Sequence, residues 1–383
     1  MSGGARILIA GAGIGGLALA QALRLGGLDV AVYERDPTPK TRNQGYRIHI
    51  DPNGNAALRT CLPVQALDRV RRTSGVNGDL VAAYTHQLEQ VMAQTFPGIT
   101  SDEITHVDRD AFRQGLLTGL ADAVCFGRTV AGYQLTGPGR VRVDFVEGGS
   151  DEGDLLIGAD GVGSAIRRQL LPHAATRDLG LRCIYGRMTI DEATDTLIPE
   201  DFNRGFCWVA DENGYGAGFA TVRFRSRPEG ATDYLMTTLV ATSERLGTPD
   251  ETLFKLSSEA LWQIAVEATS DWHPAIRTLF AHADTDTFFP IAIRASERID
   301  VWESGPVTLL GDAIHTMPPT GGVGANTALQ DAATLAGELL SAARGEKSLA
   351  EAVAAYEHVM LPRGFDTIEN SLRMADRMFA KAH

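Results

Sequence analysis

Two glycine-rich segments have the composition and spacing of anion-binding loops. The first, "GAGIGG" at residues 11–16, lies between an apolar run and a helical pattern. Glycine permits a tight turn there and lets a phosphate approach the N-terminus of the following helix, whose free N–H groups favour negative charge. The spacing predicts a dinucleotide site formed by Gly11, Gly13, Ile14, Gly15 and Gly16.

An acidic residue lies where such a site needs one. Glu34 ends the second apolar run of a strand–helix–strand pattern, 23 residues after Gly11. An acid at about this offset of roughly 20 residues binds the ribose hydroxyls of a dinucleotide. Glu34, with Arg35 beside it, is therefore predicted at the ribose, although this motif alone fits either NAD or FAD.

The second glycine-rich segment, "GDAIHTMPPTGGVGAN" at residues 311–326, lies near the other end of the chain. It follows the apolar run "PVTLL" and leads into an amphipathic helix, whose N-terminus carries a positive dipole. The chain therefore has two loops of this kind, and one ligand with two ends would need both.

Further segments identify a family resemblance. "VDRDAFRQGLL", "GADGVGSAIRR" and "GDAIHTMPPTGGVGAN" follow the first loop in chain order, and together they resemble the single-component FAD-dependent aromatic hydroxylases, the para-hydroxybenzoate hydroxylase-like monooxygenases. The sequence shows no C-terminal thioredoxin-like extension. In this respect, and in "YERDPTPKTRNQGYRIHIDPNG", it is similar to the compact subgroup that includes tetracycline-inactivating enzymes.

The resemblance implies bound FAD, with the pyrophosphate at residues 11–16 and the flavin end at the second loop. Asp312 would accept hydrogen bonds from the ribityl chain, and the backbone at Gly322, Gly324, Ala325 and Asn326 would face the pyrimidine edge of the flavin. The loop at Pro318 and Gly324 would border the position of oxygen attack. Further cofactor contacts are predicted for Arg113, for Arg42 or Arg47, and for Asp160 together with Arg167; Arg109 is predicted on the helix surface.

The reaction implied by the resemblance is hydroxylation. NADPH or NADH binds transiently and reduces FAD, O2 reacts to give the flavin C4a-hydroperoxide, and one oxygen atom passes to an aromatic or polyketide-type small molecule. Arg187, Trp208 and Tyr215, together with Tyr185, are the candidate substrate contacts. The sequence names no catalytic base, and His315 is expected to make a structural contact.

Three alternatives stay open. A flavin halogenase should carry a Trp-x-Trp-x-Ile-Pro segment, whereas the four tryptophans here are isolated. A Baeyer–Villiger oxygenation of a polyketide would use the same intermediate. A non-catalytic, flavin-dependent ligand-binding protein would retain every FAD motif.

The element pattern predicts an α/β protein. We expect a Rossmann-like FAD-binding domain, an inserted and largely antiparallel β-sheet domain for the substrate, and C-terminal helices. The predicted limits are 1–78, 101–178 and 290–345 for the FAD-binding domain, 79–100 and 179–289 for the sheet domain, and 346–383 for the helices.

Composition and charge limit the kinds of ligand and partner that the protein is expected to bind. The net charge of −13 disfavours nucleic acid, and no apolar run reaches the length of a membrane span. The four cysteines are scattered without a Cys-x-x-Cys pair, and no metal-ligand spacing is present. These features predict a cytoplasmic monomer or homodimer that acts on small molecules.

Overall fold

A computed structural model of the chain describes residues 5–40, 46–137 and 139–379. The strands are β1 (Arg6–Ala10), β2 (Asp29–Glu34), β3 (Arg47–His49), β4 (Leu80–Thr85), β5 (Gln90–Thr95), β6 (His106–Asp108), β7 (Val124–Phe126), β8 (Val130–Gly137), β9 (Arg140–Phe145), β10 (Ser150–Gly153), β11 (Leu155–Gly158), β12 (Thr176–Thr189), β13 (Gly205–Ala210), β14 (Gly216–Val222), β15 (Tyr234–Thr242), β16 (Phe289–Ser296) and β17 (Val307–Leu309). The α-helices are α1 (Ile14–Leu25), α2 (Pro52–Cys61), α3 (Val64–Arg72), α4 (Arg109–Leu116), α5 (Ala165–Leu170), α6 (Glu200–Arg204), α7 (Ser243–Leu246), α8 (Asp250–Leu253), α9 (Ser258–Ala268), α10 (Pro274–Ala281), α11 (Gly324–Ala343) and α12 (Leu349–Phe379).

A five-stranded parallel sheet organises the dinucleotide side of the molecule. Its order is β17-β11-β1-β2-β7, and every neighbouring pair runs parallel. Ile7, Leu8 and Ile9 of β1 are all fully buried, so both faces of the sheet are covered, which explains the unbroken apolar run in the sequence. The carboxyl ends of β17, β11, β1 and β2 consequently meet at one edge.

A seven-stranded sheet forms the second half, in the order β16-β12-β15-β14-β13-β4-β5. Its pairs are antiparallel except that β13 runs parallel to β4. One face packs on α9 and α10 through a core that contains Phe219, Trp272 and Phe280. Alternation along each strand points the neighbouring side chains to the opposite face, which we call the inner face.

The two halves meet at a small ribbon. Strands β3 and β6 pair antiparallel and contact β14. Ile48 and Val107 pack in the core of the parallel-sheet half, so the alternate residues of the ribbon face the large sheet. The mixed α/β architecture predicted from the sequence is confirmed.

The predicted domain limits need correction at two places. The limits at 178/179 and 289/290 divide β12 and β16, whose ends pair with each other between Thr176 and Ser296. Because this ladder continues beyond the predicted limits, residues 176–178 and 290–296 belong to the large sheet. The sheet half also contains the helices α6 to α10.

The C-terminal segment was predicted to hold helices and forms one in its described part. Helix α12 continues through Pro362 and packs along α11. Among the described helices, none has both the length and the apolar content that crossing a bilayer requires.

Candidate cofactor and substrate site

Four sequence motifs meet at the carboxyl edge of the parallel sheet. Glu34 ends β2, residues 11–16 follow β1, Asp160 follows β11, and Asp312 follows β17. The strand order sets them side by side in that sequence along the edge. An extended ligand lying across this edge would touch all four, as ligands of open α/β sheets do.

The β1–α1 turn is tight everywhere except at one glycine. A Cβ on Gly11, whose φ is +105°, would lie 2.3 Å from the oxygen of Ala159, and one on Gly16 would lie 2.2 Å from the oxygen of Gly11. A Cβ on Gly13 would meet no heavy atom within 4 Å. Gly13 is also the N-cap of α1 and provides no side-chain cap. The turn therefore leaves an open, positively polarised position at Gly13, which fits a pyrophosphate.

Two other residues predicted to bind the cofactor hold α1 in place. Ile14 is the first residue of the helix, half-buried against the core. A Cβ on Gly15 would lie 2.4 Å from a methyl carbon of Leu310, so Gly15 lets α1 approach the second loop closely.

Glu34 is engaged by the backbone around the turn. Its two carboxylate oxygens accept the N–H groups of Ala12 and Asp36, each at 2.9 Å, and the residue is 7% exposed. Arg35 beside it is exposed. The acid thus fixes the turn, and its remaining lone pairs are those that a ribose hydroxyl would use.

Arg113, predicted to contact the cofactor, lies at the turn after β1 beside Glu34. Its Nε donates to the oxygen of Ala12 at 3.0 Å, and its Nη1 donates to the oxygen of Pro39 at 3.1 Å. The guanidinium also lies 3.4 Å from Glu34 and 3.6 Å from Asp36. The donors of this buried arginine are therefore committed to the protein. Arg42, the other predicted arginine, lies outside the described residues.

Asp312 lies in a cleft on the flavin side. Its side chain is exposed to solvent, yet the dense protein around it desolvates the carboxyl group and raises its pKa. An exposed carboxylate that the surrounding protein still desolvates could accept hydrogen bonds from a hydroxyl-bearing ligand chain.

A buried ionic cluster supports the turn before Asp312. Asp331, fully buried, accepts the N–H of Gly311 at 3.1 Å, His315 Nε2 at 2.5 Å and Arg363 Nη2 at 2.9 Å. Burial alone would lower the pKa of His315, but the neighbouring Asp331 carboxylate raises it above its usual value. Burial alone would raise the pKa of Asp331, but His315 and Arg363 lower it below its usual value. His315 is 1% exposed and bonded to Asp331, so its position is structural.

Asp160 and Arg167 connect β11 to the same loop. One oxygen of Asp160 accepts the N–H of Ala165 at 2.7 Å, whereas the other is buried and has no hydrogen-bond partner. Arg167 donates to the oxygen of Ala313 at 2.9 Å. A buried carboxylate oxygen without a donor is costly, so a donor from a ligand would fit there.

The N-terminus of α11 is open. Val323 is its N-cap and provides no side-chain cap to the first turn at Gly324 and Ala325. Pro318 is buried in the preceding loop, and Gly322, with φ +63°, packs against His49. Free N–H groups at a helix start favour an electron-rich ligand edge.

Asn326 was predicted to contact the flavin through its backbone, and its side chain is bonded within the protein. Its side chain donates to the oxygens of His49 and Gly322 and accepts the N–H of Asp51, each at 3.0 Å. These hydrogen bonds join α11 to β3 and to the start of α2. The backbone of Asn326 is therefore the part of this residue that a ligand could contact.

The inner face of the large sheet contains two of the three predicted substrate contacts. Arg187 and Trp208 lie on it, as does Tyr185. Tyr215 does not: its hydroxyl donates to the oxygen of Arg245 at 3.1 Å, and its ring packs with the helix-side core. Tyr215 precedes β14, where the alternation that would assign its face has not begun.

Two cleft residues were missed by the sequence reasoning. The Arg109 guanidinium lies 5.6 Å from the ring centre of Tyr46, and Tyr46 lies 5.1 Å from Tyr185. Asp312 and Arg109 both act electrostatically on the Tyr46 hydroxyl. Arg109 was predicted on the helix surface; it is instead the first residue of α4, directly after the N-cap Asp108, and this position turns it toward β3. That offset from the cap is the signal that could have found it.

Two family models match the chain. Residues 139–371 match the FAD binding domain, and residues 9–57 match an NAD(P)-binding Rossmann-like domain. The first match contains the second glycine-rich loop, and the second contains the first loop and Glu34.

Known proteins are similar over nearly the whole chain. The dual O-methyltransferase/FAD-dependent monooxygenase CTB3 of Cercospora beticola is 32% identical, with 98% of this chain and 46% of CTB3 covered, so the chain spans about half the length of that relative. The 3-amino-4-hydroxybenzoate 2-monooxygenase of Streptomyces cremeus is 30% identical, with 97% and 87% covered. A crystal structure from Photorhabdus luminescens, described as an FAD containing monooxygenase, has a TM-score of 0.87 and 30% identity, with 98% and 99% covered.

Proposed function

Because the chain belongs to the FAD-dependent aromatic monooxygenase family, we propose that it uses FAD, NADPH or NADH, and O2 to hydroxylate an aromatic or polyketide-type small molecule. The observation that carries the proposal is the meeting of Glu34, Gly13, Asp160 and Asp312 along one edge of the parallel sheet.

The residues at this edge fit FAD. Gly13 leaves open space at the helix start, Asp160 has a buried oxygen without a donor, and α11 begins without a side-chain cap. In this arrangement Glu34 would hold the adenosine ribose, Gly13 the pyrophosphate, and Asp312 the ribityl chain. When bound, FAD supplies the electron transfer and oxygen activation for which protein side chains are unsuited.

The protein's own residues would bind the flavin, orient the substrate and exclude water from the cleft. The N-terminus of α11 presents a positive dipole to the flavin edge where negative charge develops. Tyr46, Tyr185 and Phe289 form an aromatic cluster between the ribbon and the large sheet, with Tyr185 and Phe289 stacked at 5.6 Å. This cluster would exclude water from the cleft and provide an apolar surface against which a planar substrate could pack.

Only one dinucleotide fingerprint is present in the sequence, at residues 11–16. With FAD in that site, the nicotinamide cofactor has none of its own, and we infer that it binds transiently. The relative that acts on 3-amino-4-hydroxybenzoate supports a ring-hydroxylated substrate class for this chain.

Isotope labelling tests the proposal. Purified protein loaded with FAD is supplied with NADPH, isotopically labelled dioxygen and a panel of phenols and multi-ring polyketides. We expect one product to gain a single labelled oxygen as a new hydroxyl group. A labelled oxygen inserted into the carbon skeleton would instead assign a Baeyer–Villiger reaction, and consumption of NADPH with no labelled product from any compound would contradict the proposal.

A further inference from the structure

Two arginines, one on the ribbon and one on the inner face of the large sheet, each have a buried Nε without a hydrogen-bond partner. Arg47 of β3 lies opposite Asp108 of β6, on the face of the ribbon away from Ile48 and Val107. Since those two residues pack in the core of the parallel-sheet half, the side chain of Arg47 is directed toward the large sheet.

Arg187 reaches the same place from the sheet. It lies opposite Met236 on the inner face, and its guanidinium carbon lies 5.5 Å from the ring centre of Tyr234. Burial raises the pKa of the Tyr234 hydroxyl, and both Arg187 and Arg47 act electrostatically against that rise. Tyr234 also donates its hydroxyl to Asp108, the residue opposite Arg47 in the ribbon, so it lies between the ribbon and Arg187.

Within residues 5–40, 46–137 and 139–379, neither arginine forms an ion pair, and Asp110 acts on Arg187 only electrostatically. The Nε atoms of Arg47 and Arg187 are buried without a hydrogen-bond partner, and no carboxylate pairs with either guanidinium. The adjacent carboxylate, Asp108, is committed: it accepts the N–H of Ala111 at 2.8 Å and the hydroxyl of Tyr234 at 3.0 Å.

Both arginines are half-buried, and a buried Nε–H without an acceptor is costly, so an acceptor from a ligand would fit there. Burial lowers the pKa of Arg47 to about 10, so it stays charged at neutral pH while lacking a counter-ion. A planar oxyanion matches the hydrogen-bonding geometry of a guanidinium, which can donate two parallel bonds to it.

We propose that Arg47 and Arg187 together bind a planar oxyanion of the substrate, either a carboxylate or an ionised enol, beside Tyr234. This inference rests on the proposed function, and it moves Arg47 from the cofactor to the substrate. Tyr185 and Met236 on the same face would then flank the ring that carries the anion.

Equilibrium binding tests the inference without turnover. The FAD-loaded protein is titrated by calorimetry, in the absence of NADPH, with two matched pairs: 1-hydroxy-2-naphthoate against its carboxamide, and 2-hydroxy-1,4-naphthoquinone against its methyl ether. We expect the anion of one pair to bind at least about 10-fold more tightly than its neutral partner, the range of a charge-assisted hydrogen bond. The pair that discriminates identifies carboxylate or enol.

Variants assign the effect to the two arginines. Arg47→Met and Arg187→Met should each abolish the preference for the anion, whereas Arg177→Met, on an exposed position of the same strand β12, should retain it. FAD content should be unchanged in all three. Without ligand, Arg47→Met should unfold at a higher temperature than the parent, because a buried Nε–H without an acceptor is removed.

Three results would overturn the inference: no discrimination within either pair, discrimination that survives both variants, or loss of FAD from Arg47→Met, which would place that cation on the cofactor. Failure of the proposed function is read separately, from NADPH oxidation and product formation, and binding of the anions does not depend on it.

Discussion

At the scale of single residues, Gly13 and Asp312 mark the two ends of the cofactor site in different ways. Gly13 has no side chain, and the space that a Cβ would occupy is open and is the proposed position of the pyrophosphate. Asp312 contributes an acceptor inside a cleft. A substitution at either residue is expected to change FAD binding while leaving the fold intact.

Gly13→Val should give a folded protein without FAD. The backbone at Gly13, with φ −77° and ψ −176°, is accessible to valine, and an added Cβ would meet no heavy atom within 4 Å. FAD content, measured by absorbance after desalting, should fall to near zero while the thermal unfolding of the apoprotein is kept. Gly137→Val, at an equally open glycine of β8, is the control and should load normally. A Gly13→Val protein with full FAD would refute the pyrophosphate placement.

Asp312→Ala should weaken FAD binding by about 10- to 100-fold, the effect of losing one or two hydrogen bonds to a charged group. Because the side chain is exposed, its removal should leave the stability of the apoprotein nearly unchanged. Fluorescence titration of apoprotein with FAD measures the change, with the exposed Asp300→Ala as control. Unchanged affinity in Asp312→Ala would remove this residue from the flavin end.

At the scale of elements, the second loop depends on α11 and α12 through Asp331. This carboxylate holds the Gly311 N–H, His315 and Arg363 at once, so the loop, α11 and α12 share one buried ionic centre. Asn326 makes a similar connection from α11 to β3 and α2. The shape of the flavin end is therefore fixed by side chains that do not touch the cofactor.

The His315–Asp331 pair predicts a pH window for stability. Because folding raises the pKa of His315, its protonation stabilises the fold at low pH, and this contribution is lost as pH rises through the raised pKa. Because folding lowers the pKa of Asp331, its ionisation stabilises the fold at higher pH, and this contribution is lost as pH falls through the lowered pKa. His315→Asn should therefore cost about 3–5 kcal/mol in the window between the two pKa values. Its free energy of unfolding should converge toward the parent's at both ends of the pH range.

Urea unfolding of the FAD-loaded protein across pH measures this difference. The exposed His173→Asn serves as the matched variant and should follow the parent throughout. A constant gap between His315→Asn and the parent at every pH would mean that the pair contributes through packing rather than charge.

At the scale of the whole molecule, the sequence predicted what depends on local pattern. The strand–turn–helix at residues 11–16 and the α/β class follow from periodicity and glycine spacing, which are local. The side of the cleft on which an arginine lies depends on packing between distant strands, so Arg109 was wrongly assigned to the helix surface. Tyr215 was misplaced because it lies just outside a strand, where alternation assigns no face.

The domain limits failed for a related reason. Strands β12 and β16 are far apart in sequence, and the length of their ladder is set by how they pair. No local signal at residue 178 or 290 marks a boundary, because the chain passes between the two halves within continuous strands. The active cleft that we propose lies at this junction, with the cofactor edge on one half and the inner face on the other.

The most direct test of the account is anaerobic reduction of the bound flavin. The FAD-loaded protein is mixed with NADPH, and separately with NADH, while the flavin absorbance at about 450 nm is followed with and without each candidate substrate. The account predicts bleaching that one aromatic or polyketide ligand accelerates. Bound FAD that neither nucleotide reduces faster than free flavin, with any ligand present, would contradict it and favour a flavin-binding protein without turnover.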